Sequence, residues 1–519
     1  MKRALKIVGE QCIYRVYQSV SALFGNHSLA RRLAQESEKI PKSNGVRYYS
    51  LLPYKIGIIA DLFLYCDYQD TCDLRYIGPN STEEELYDLD LLLITSVWHG
   101  LYGEWTGAWK DGAKSNLRIH EIAQLCRRKG IPVAFYSKED PPNFGYFKNL
   151  AKDADYIFTS AEELIDTYRR VFPKKLAFHL PFCTNPKLYN PIGAFRQWDT
   201  RQNVGHTAVF AGSYMPKYPN RIQDQDALFR WCRQAGLKLR IVDRNYRRDN
   251  PRYLYPVRYW PLVLPDIDYR FLGDIYKLHA YALNLNSVTE SESMFAKRVY
   301  DALACGSVVI SNESRGMERA FPEVAVALGL EDIIRVLSES EEERHLRRVT
   351  GVRRVMSKNT SFDRVRQLLS DCKLFTGEEA KTVAVIVHPK TEYPKKVREM
   401  FHQQTYPHKC LIDAPEKEPL LHSCPMVAIW TDKREYGPHF LEDMVNAFRY
   451  TNCRYVVKNF RPQTSGATWR EEHAYVEEVY DKYGAVFWQT NSWPGNLETL
   501  PESFSATGGY SPDILNYHG

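Results

Sequence analysis

Short apolar runs alternate with helical patterns along the chain, and this alternation constrains the fold more than any other feature. Residues 46–185 contain four such runs: Tyr54–Ala60, Leu89–Ser96, Ile131–Tyr136 and Asp155–Thr159. Helical patterns separate several of them, as at Leu117–Arg128 and Phe144–Ala154. Apolar strands that alternate with helices form βαβ units, so this region is predicted to contain a parallel sheet.

The same alternation begins again after a polar stretch at about residues 186–205. The new strand-like runs are Thr207–Ala211, Leu237–Val242, Tyr281–Asn286 and Ser307–Ser311, and helices are expected at 220–235, 294–304, 330–340 and 361–372. The sequence therefore predicts two consecutive Rossmann-like lobes. In open α/β sheets ligands bind outside the carboxyl ends of the strands, so the expected site is a cleft between the lobes.

A third α/β pattern starts near residue 380, with strands at Val383–Val387 and Met426–Trp430 and helices at Lys395–Gln403 and Phe440–Tyr450. The length of 519 residues leaves room for three domains. We therefore divide the α/β chain into an N-terminal helical segment (1–45), a first lobe (46–185), a second lobe (186–375) and a smaller C-terminal domain (376–519).

Composition argues against several classes of protein. Lysine and arginine total 69 and the acidic residues 63, and the basic residues are spread along the chain, unlike those of a dedicated nucleic-acid binder. The 11 cysteines include no CxxC pair, which disfavours a disulfide framework or a structural zinc site and fits a reducing, cytoplasmic location. No apolar run reaches about 18 residues, so no membrane span is expected.

The N-terminal segment is expected to form an amphipathic helix over residues 4–24. Its apolar residues fall on one face, and Lys2, Arg3, Lys6 and Arg15 lie nearby; the apolar residues are Leu5, Val8, Cys12, Val16, Val20 and Leu23. Glu10 and Arg15 interrupt this stretch, so it does not resemble a signal peptide. One interpretation is peripheral contact with an anionic membrane through residues 1–24. The interpretation that we favour is a helix half buried on its own core.

The stretch from Leu283 to Ser311 contains the residues that say most about function. It predicts a strand that ends at Ser287, a loop, and a helix that begins near Met294 with Lys297 and Arg298 in its first turn. Helix N-termini and nearby cations favour phosphate binding, and Asn286 and Ser287 at the strand end would add hydrogen-bonding groups. The alternative is that Arg298 pairs with Asp301 or Glu290 on the surface.

This stretch resembles the donor lobe of GT-B glycosyltransferases, in particular the CgeB (YkvP-like) group. Further segments match that group in order between about residues 50 and 370: Ser96–Gly100, Lys138–Pro141, Ala154–Ser160, Ala211–Arg221 and Val242–Asn245. The resemblance implies two Rossmann-like lobes and a metal-independent transfer from a nucleotide-sugar, which is a co-substrate rather than a cofactor.

The resemblance also implies roles for individual residues. Gly212 and Ser213 would let the backbone approach the diphosphate, and Arg221 and Arg298 would neutralise it. Asp301 stands where the wider family places a ribose-binding glutamate. Asp243 and Arg244 would border the base, although Asp243 fits a strand-end cap equally well. Ser293 and Asp301 replace the two spaced glutamates of many retaining enzymes, so the anomeric outcome stays open.

An inverting transferase needs a base near the acceptor hydroxyl. The first lobe offers His99, Glu104, Glu139 and Asp140 directly after its strands. Neighbouring tryptophans fit either a sugar-stacking surface or ordinary packing; they are Trp98, Trp105 and Trp109.

The C-terminal domain resembles a GT-A (family-2-like) glycosyltransferase in several segments: Val383–Val387, Phe401–Pro407, Tyr436–Asp443 and Thr507–Asp513. That family holds a divalent metal with an Asp-x-Asp pair, but here Asp432 stands alone beside Lys433 and Arg434. We therefore expect no metal site and interpret the domain as a degenerate copy that serves packing, homo-oligomerisation or acceptor capture.

The sequence thus favours a transferase that moves a hexosyl or pentosyl group to a glycan, such as a surface polysaccharide, or to another hydroxyl acceptor. Two alternatives stay open at this point. The same fold would serve to glycosylate a modified base in phage-type DNA, or it would bind a nucleotide-sugar without turnover.

Overall fold

The computed structural model describes residues 2–194, 206–247, 253–375, 377, 381–413, 421, 423–459, 472–490 and 500–518, with side chains from residue 12 onward. The chain begins with two helices, α1 (Lys2–Leu23) and α2 (Asn26–Lys39). The predicted N-terminal helix is therefore confirmed, with a second helix directly after it.

The first lobe is a six-stranded parallel sheet in the order β2-β1-β3-β4-β5-β6. Its strands are β1 (Leu52–Ile59), β2 (Cys72–Tyr76), β3 (Leu91–Thr95), β4 (Val133–Ser137), β5 (Tyr156–Thr159) and β6 (Leu176–His179). Its helices are α3 (Leu62–Tyr68), α4 (Glu83–Tyr87), α5 (Lys114–Arg128), α6 (Phe144–Phe147) and α7 (Ile165–Val171). The strand order reverses between β1 and β3, which is where such sheets open a crevice.

The second lobe is another six-stranded parallel sheet, in the order β12-β11-β10-β7-β8-β9. Its strands are β7 (Thr207–Ala211), β8 (Lys238–Val242), β9 (Val263–Leu264), β10 (Tyr281–Asn284), β11 (Val308–Ser311) and β12 (Ala325–Val326). This is the strand order of dinucleotide-binding folds, and it reverses between β7 and β10. The two predicted Rossmann-like lobes are thereby confirmed.

Seven helices accompany the second sheet in the described part of the chain. They are α8 (Pro219–Gln234), α9 (Leu272–Lys277), α10 (Arg298–Ala304), α11 (Arg315–Ala320), α12 (Leu330–Leu337), α13 (Glu341–Lys358) and α14 (Ser361–Asp371). The closing helix α14 crosses back and packs Val365, Leu368 and Leu369 into the core of the first lobe, beside Leu64 and Tyr68. The two lobes therefore share helix α14.

The C-terminal domain has a mixed seven-stranded sheet in the order β14-β13-β15-β19-β17-β20-β18, in which β15 and β19 run antiparallel. Its elements include α15 (Pro394–Gln403) and α16 (Phe440–Tyr450), and a separate pair joins β16 to β21. The strands are β13 (Val383–Val387), β14 (Lys409–Ile412), β15 (Met426–Trp430), β16 (Glu435–Tyr436), β17 (Tyr455–Val457), β18 (Ala474–Val479), β19 (Ala485–Trp488), β20 (Phe504–Ser511) and β21 (Tyr517–His518).

Buried charge attaches the C-terminal domain to the second lobe. Arg353 on α13 donates two hydrogen bonds to Asp443 on α16, at 2.6 and 2.9 Å. Arg449 on α16 reaches Tyr49, ahead of β1, with an Nη1–Oη distance of 2.7 Å. Breaking such a buried pair leaves an uncompensated charge, so these contacts fix the position of the domain.

Helix α1 packs on the second lobe, as the favoured interpretation predicts, but among the described side chains only Val20 of the predicted apolar face takes part. The inward residues are Tyr14, Tyr17 and Ser21, and both tyrosines join the core of the second lobe. Val16 and Leu23, from the predicted apolar face, are 52% and 84% exposed. Tyrosine supplies both a large apolar ring and a hydroxyl that finds buried partners, so it outcompetes the aliphatic residues for the interface. No described helix is both long and apolar enough to cross a bilayer.

Candidate functional site

The carboxyl ends of β7 and β10 meet where the second sheet reverses its strand order. Strand β10 ends in a buried amide network: Asn284 donates to Ser311 at 2.9 Å, and the Asn286 N–H donates to the Oδ1 of Asn312 at 2.8 Å. The Oδ1 of Asn286 in turn accepts the N–H of Ala296 at 2.9 Å. Asn286 therefore holds the loop in place through its backbone and its side chain. Ser287, the next residue, is exposed.

The helix that follows begins four residues later than the sequence predicts. It starts at Arg298 rather than near Met294, because side chains bond the backbone before it. The Oγ of Ser291 accepts the N–H of Met294 at 2.9 Å, and the Oδ1 of Asn286 accepts the N–H of Ala296. The N–H groups of Met294 and Ala296, which the predicted helix N-terminus would offer to a phosphate, are therefore already bonded.

Arg298 stands at the first turn of α10 and turns toward the end of β7. Its guanidinium lies 4.6 Å from the ring centroid of Phe210, and its Nη1 donates to Asn284 Oδ1 at 3.3 Å. A Cβ on Gly212 would lie 2.8 Å from Nη2. The alternative surface pairs are absent among the described residues, since Glu290 binds Arg315 and Asp301 binds Lys297.

Two further arginines reach the same turn. Arg221 on α8 is buried, and its Nη1 donates to the Ser213 carbonyl at 3.3 Å. Arg244, after β8, donates from Nε to the Ser213 hydroxyl at 2.7 Å. We refer to Arg221, Arg244 and Arg298 as the arginine cluster.

The positive charges of Arg221 and Arg298 have no carboxylate beside them among the described residues. Burial, followed by the charges of Arg298 and Arg244, lowers the pKa of Arg221 to about 10. Buried cations normally have partners, so a cluster of like charge around a glycine turn is suited to receive an anion.

The Asp243 carboxylate bonds helix α1 and the local backbone. One carboxylate oxygen accepts the Tyr17 hydroxyl of α1 and the other accepts the Asn245 N–H, both at 2.9 Å. Burial raises the pKa of Asp243 to about 6. These contacts correspond to the strand-end cap that the sequence offered as one of its two interpretations.

Lys297 and Asp301 neutralise each other instead of opening toward a ligand. The Nζ of Lys297 lies 2.6 Å from Asp301 and 3.0 Å from Asp67 of the first lobe. Thr184 donates to Asp301 at 2.9 Å, and Tyr269 donates to Asp67 at 3.1 Å. Burial raises the pKa of both carboxyl groups, and Lys297 opposes that effect. The structure thus places these predicted binding residues in a buried ion cluster that joins the two lobes.

The first lobe places Asp61 at its own point of strand reversal, a residue that the sequence analysis did not assign. Its carboxylate accepts the N–H groups of Trp98, His99 and Gly100 at 3.1, 2.9 and 3.1 Å, and Lys138 lies 3.1 Å away. Although burial favours the neutral form, Lys138 and the backbone N–H groups lower the pKa of Asp61. The sequence clue was an acidic residue directly after the first strand of a βαβ unit.

The four candidate bases differ in access. Asp140 is fully buried and accepts hydrogen bonds from Thr159 at 2.7 Å and Tyr168 at 3.0 Å, and burial raises its pKa to about 6. A carboxylate enclosed in this way does not reach an acceptor, so the structure argues against this candidate. Glu104 accepts the Tyr76 hydroxyl and supports the loop around Gly100.

Glu139 and His99 lie nearer to solvent. The Glu139 side chain is 24% exposed, and its oxygens accept from Lys138 at 3.2 Å and from Asn143 at 2.9 Å. His99 is exposed, with Nδ1 3.1 Å from the Thr106 hydroxyl. Of the four candidates, these two are placed to contact a bound molecule.

Aromatic side chains form a partly exposed cluster beside Glu139. Trp109 lies 6.0 Å from Trp98 and 5.4 Å from Tyr146, measured between ring centroids. Lys217 of the second lobe reaches across: its Nζ donates to Asn143 at 3.0 Å and lies 5.8 Å from the Trp98 ring. Trp105, by contrast, is fully buried and donates to the Ile77 carbonyl, so it packs the core.

The described residues of the C-terminal domain contain no cluster of arginines like that of the second lobe and no metal site at Asp432. Asp432 accepts the Tyr393 N–H at 2.8 Å, and the described residues contain no group of three or more His, Cys, Asp or Glu that could hold a metal ion.

A family model described as "Glycosyl transferase-like" matches residues 226–370. Residues 226–370 are glycosyl transferase-like. The glycosyl transferase-like segment spans less than half of the chain, and it includes Arg244, Asn286, Arg298 and Asp301. No curated protein sequence matches the chain.

Solved structures of similar fold include two UDP complexes and a sucrose-phosphate synthase. An α-glucosyltransferase in complex with UDP and a DNA that contains a HMU base is 10% identical (TM-score 0.45), over 62% of this chain and all of that chain. HepE of Anabaena in complex with UDP is 10% identical (TM-score 0.40; 62% and 92%). Sucrose-phosphate synthase of Thermosynechococcus elongatus is 14% identical (TM-score 0.36; 58% and 81%). At these identities the likeness is one of fold alone.

Proposed function

We propose that this protein is a GT-B glycosyltransferase that binds a nucleotide-sugar at the arginine cluster. The observation that carries the proposal is that Arg221 and Arg298 converge on the Gly212–Ser213 turn without a carboxylate counter-ion among the described residues. A nucleoside diphosphate supplies the missing negative charge. The glycosyl transferase-like match of residues 226–370 supports this interpretation.

Arg221 and Arg298 also stabilise the leaving group of the proposed sugar transfer. When the bond between the sugar and the diphosphate breaks, negative charge grows on the leaving phosphate. Guanidinium groups already fixed by Asn284, Ser213 and the Phe210 ring stabilise that charge without reorganising. We assign this role to Arg298 and Arg221 and expect no metal ion to be required.

We place the acceptor on the first lobe, at the aromatic cluster of Trp98, Trp109 and Tyr146. Aromatic rings stack on the apolar faces of sugars, so the proposed acceptor is a glycan. Glu139 is the proposed base, because its side chain is partly exposed while Asp140 is buried and Glu104 accepts from Tyr76. Its partner Asn143 also binds Lys217 of the second lobe.

The remaining features support finer assignments within this proposal. The order of the segments fits the CgeB-like group, and the lone Asp432 fits a C-terminal GT-A copy that has lost its metal site. All 11 cysteines are free thiols, which supports a reducing location such as the cytoplasm.

Thermal unfolding with UDP-, GDP-, CMP- and dTDP-sugars tests the proposal. A ligand at about 100 times its Kd adds roughly 2.7 kcal/mol to the free energy of unfolding. We expect one nucleotide series to raise the Tm and Arg298→Ala to abolish the rise. The matched control is Arg315→Ala, which removes an exposed arginine of the same lobe. The proposal fails if no nucleotide-sugar shifts the Tm, or if Arg298→Ala retains the full shift.

Binding to a glycan array tests the acceptor site separately. Tyr146→Ala should weaken glycan binding while the nucleotide-induced shift in Tm stays unchanged. Tyr102, which is 88% exposed and outside the aromatic cluster, provides the matched control as Tyr102→Ala. Equal loss in both variants would remove the aromatic cluster from the acceptor site.

A further inference from the structure

Helix α1 and the residue after it carry a stripe of exposed apolar side chains, interrupted by Val20, which packs against the core of the second lobe. Ile13, Val16, Leu23 and Phe24 are 50, 52, 84 and 62% exposed. Val16, Leu23 and Phe24 lie three, ten and eleven residues after Ile13. The four side chains therefore share one side of the helix and its C-terminal end. Single exposed apolar residues are ordinary, but a stripe of four large ones on one element marks an interaction surface.

The stripe is not needed to hold the helix in place. Tyr14 and Ser21, on the inward side, donate hydrogen bonds to the carbonyls of Asn245 at 3.2 Å and Val263 at 2.9 Å. Tyr17 packs 5.4 Å from the Trp260 ring, measured between centroids, and bonds Asp243. The second lobe therefore presents the stripe outward on a fixed support.

The N-terminal segment that carries the stripe has a net positive charge. Residues 1–40 contain three acidic residues, Glu10, Glu36 and Glu38, and seven basic ones: Lys2, Arg3, Lys6, Arg15, Arg31, Arg32 and Lys39. Arg15, Arg31 and Arg32 are exposed. An apolar stripe beside excess positive charge is the composition of helices that lie in the headgroup region of anionic bilayers.

We propose that the outward face of α1 binds the surface of an anionic lipid membrane. The apolar side chains enter the headgroup region, and the basic residues pair with lipid phosphates. Self-association through the same face would bring two basic segments together, which like-charge repulsion opposes, so the lipid surface is the occupant that the charge favours. This site lies on a different surface from the arginine cluster and does not depend on it.

Co-sedimentation with vesicles tests the proposal. The full chain should bind vesicles of phosphatidylcholine with phosphatidylglycerol, bind phosphatidylcholine alone at least about tenfold more weakly, and detach as salt is raised. Val16→Glu/Leu23→Glu should lose the anionic-vesicle binding. The matched control is Leu117→Glu/Leu346→Glu, which makes the same changes at leucines that are 58 and 54% exposed elsewhere, and it should bind as wild type.

Three results would overturn the proposal: vesicle binding unchanged in Val16→Glu/Leu23→Glu, equal binding to neutral vesicles, or a dimer in sedimentation velocity that this variant dissociates. The nucleotide-induced shift in Tm is measured on the same proteins. It should be the same in both variants, so a failure of membrane binding is distinguishable from a failure of the proposed transferase activity.

Discussion

Arg298 fills the space that a side chain on Gly212 would need, since a Cβ there would lie 2.8 Å from its Nη2. The glycine is required by contact and not by backbone strain. Gly212→Ala should displace the guanidinium and weaken nucleotide-sugar binding by about tenfold, roughly 1.4 kcal/mol, with the fold retained. Isothermal titration measures this. Gly78→Ala, where a Cβ meets no atom within 4 Å, is the control, and equal affinities of the two variants would contradict the contact.

Arg221 is expected to lower the stability of the unliganded protein while it contributes to nucleotide-sugar binding. Its pKa is lowered because burial and the charges of Arg298 and Arg244 disfavour the cation. Arg221→Met removes that repulsion, so the free energy of unfolding without ligand should rise by about 1 kcal/mol, while the nucleotide-induced shift in Tm disappears. Urea unfolding with and without nucleotide measures both. A variant that is less stable yet still binds would contradict the assignment.

Some features of this site could be predicted from the sequence, and others could not. Gly212 and Arg298 were predictable because a glycine after one strand and an arginine after another are brought together by the strand order of the lobe. The start of α10 was not predictable, because Ser291 and Asn286 bond the amides before it from outside the local pattern. Sequence periodicity also selected the aliphatic face of α1, since it does not register that Tyr17 finds a buried partner in Asp243, 226 residues away.

Lys297 illustrates the same limit, because its partner Asp67 belongs to the other lobe. Lys297→Met leaves two buried carboxyl groups without their cation and should destabilise the protein by about 3–5 kcal/mol. Without Lys297 the folded-state pKa of both carboxyls stays above the unfolded value. The native state then binds more protons, so stability falls as pH rises. The loss should therefore be larger at pH 8 than at pH 5 in urea unfolding.

Arg298→Ala provides the contrast for that measurement. It should leave stability almost unchanged, because its guanidinium pairs with no carboxylate among the described residues. If Lys297→Met instead kept its stability but lost nucleotide binding, Lys297 would be a ligand-binding residue.

Asp140 and Glu139 are adjacent but should respond differently to removal of their charge. Burial raises the folded pKa of Asp140 to about 6 from 3.8, so its contribution to stability is lost as pH rises from about 4 to about 6. Asp140→Asn cannot ionise, and its stability relative to wild type should increase across that window while turnover persists. Glu139→Gln should lower turnover by about 100-fold or more and leave nucleotide binding intact. Loss of turnover in Asp140→Asn alone would exchange the two roles.

Chelation separates the arginine cluster from the C-terminal domain as the site of catalysis. If Arg221 and Arg298 neutralise the leaving diphosphate, no divalent ion is needed there, and EDTA should leave turnover unchanged. A GT-A reaction would instead depend on Asp432, whose carboxylate already accepts the Tyr393 N–H and adjoins Lys433 and Arg434. Asp432→Asn should therefore retain activity. Turnover that EDTA abolishes, magnesium restores and Asp432→Asn lacks would move the reaction to the C-terminal domain.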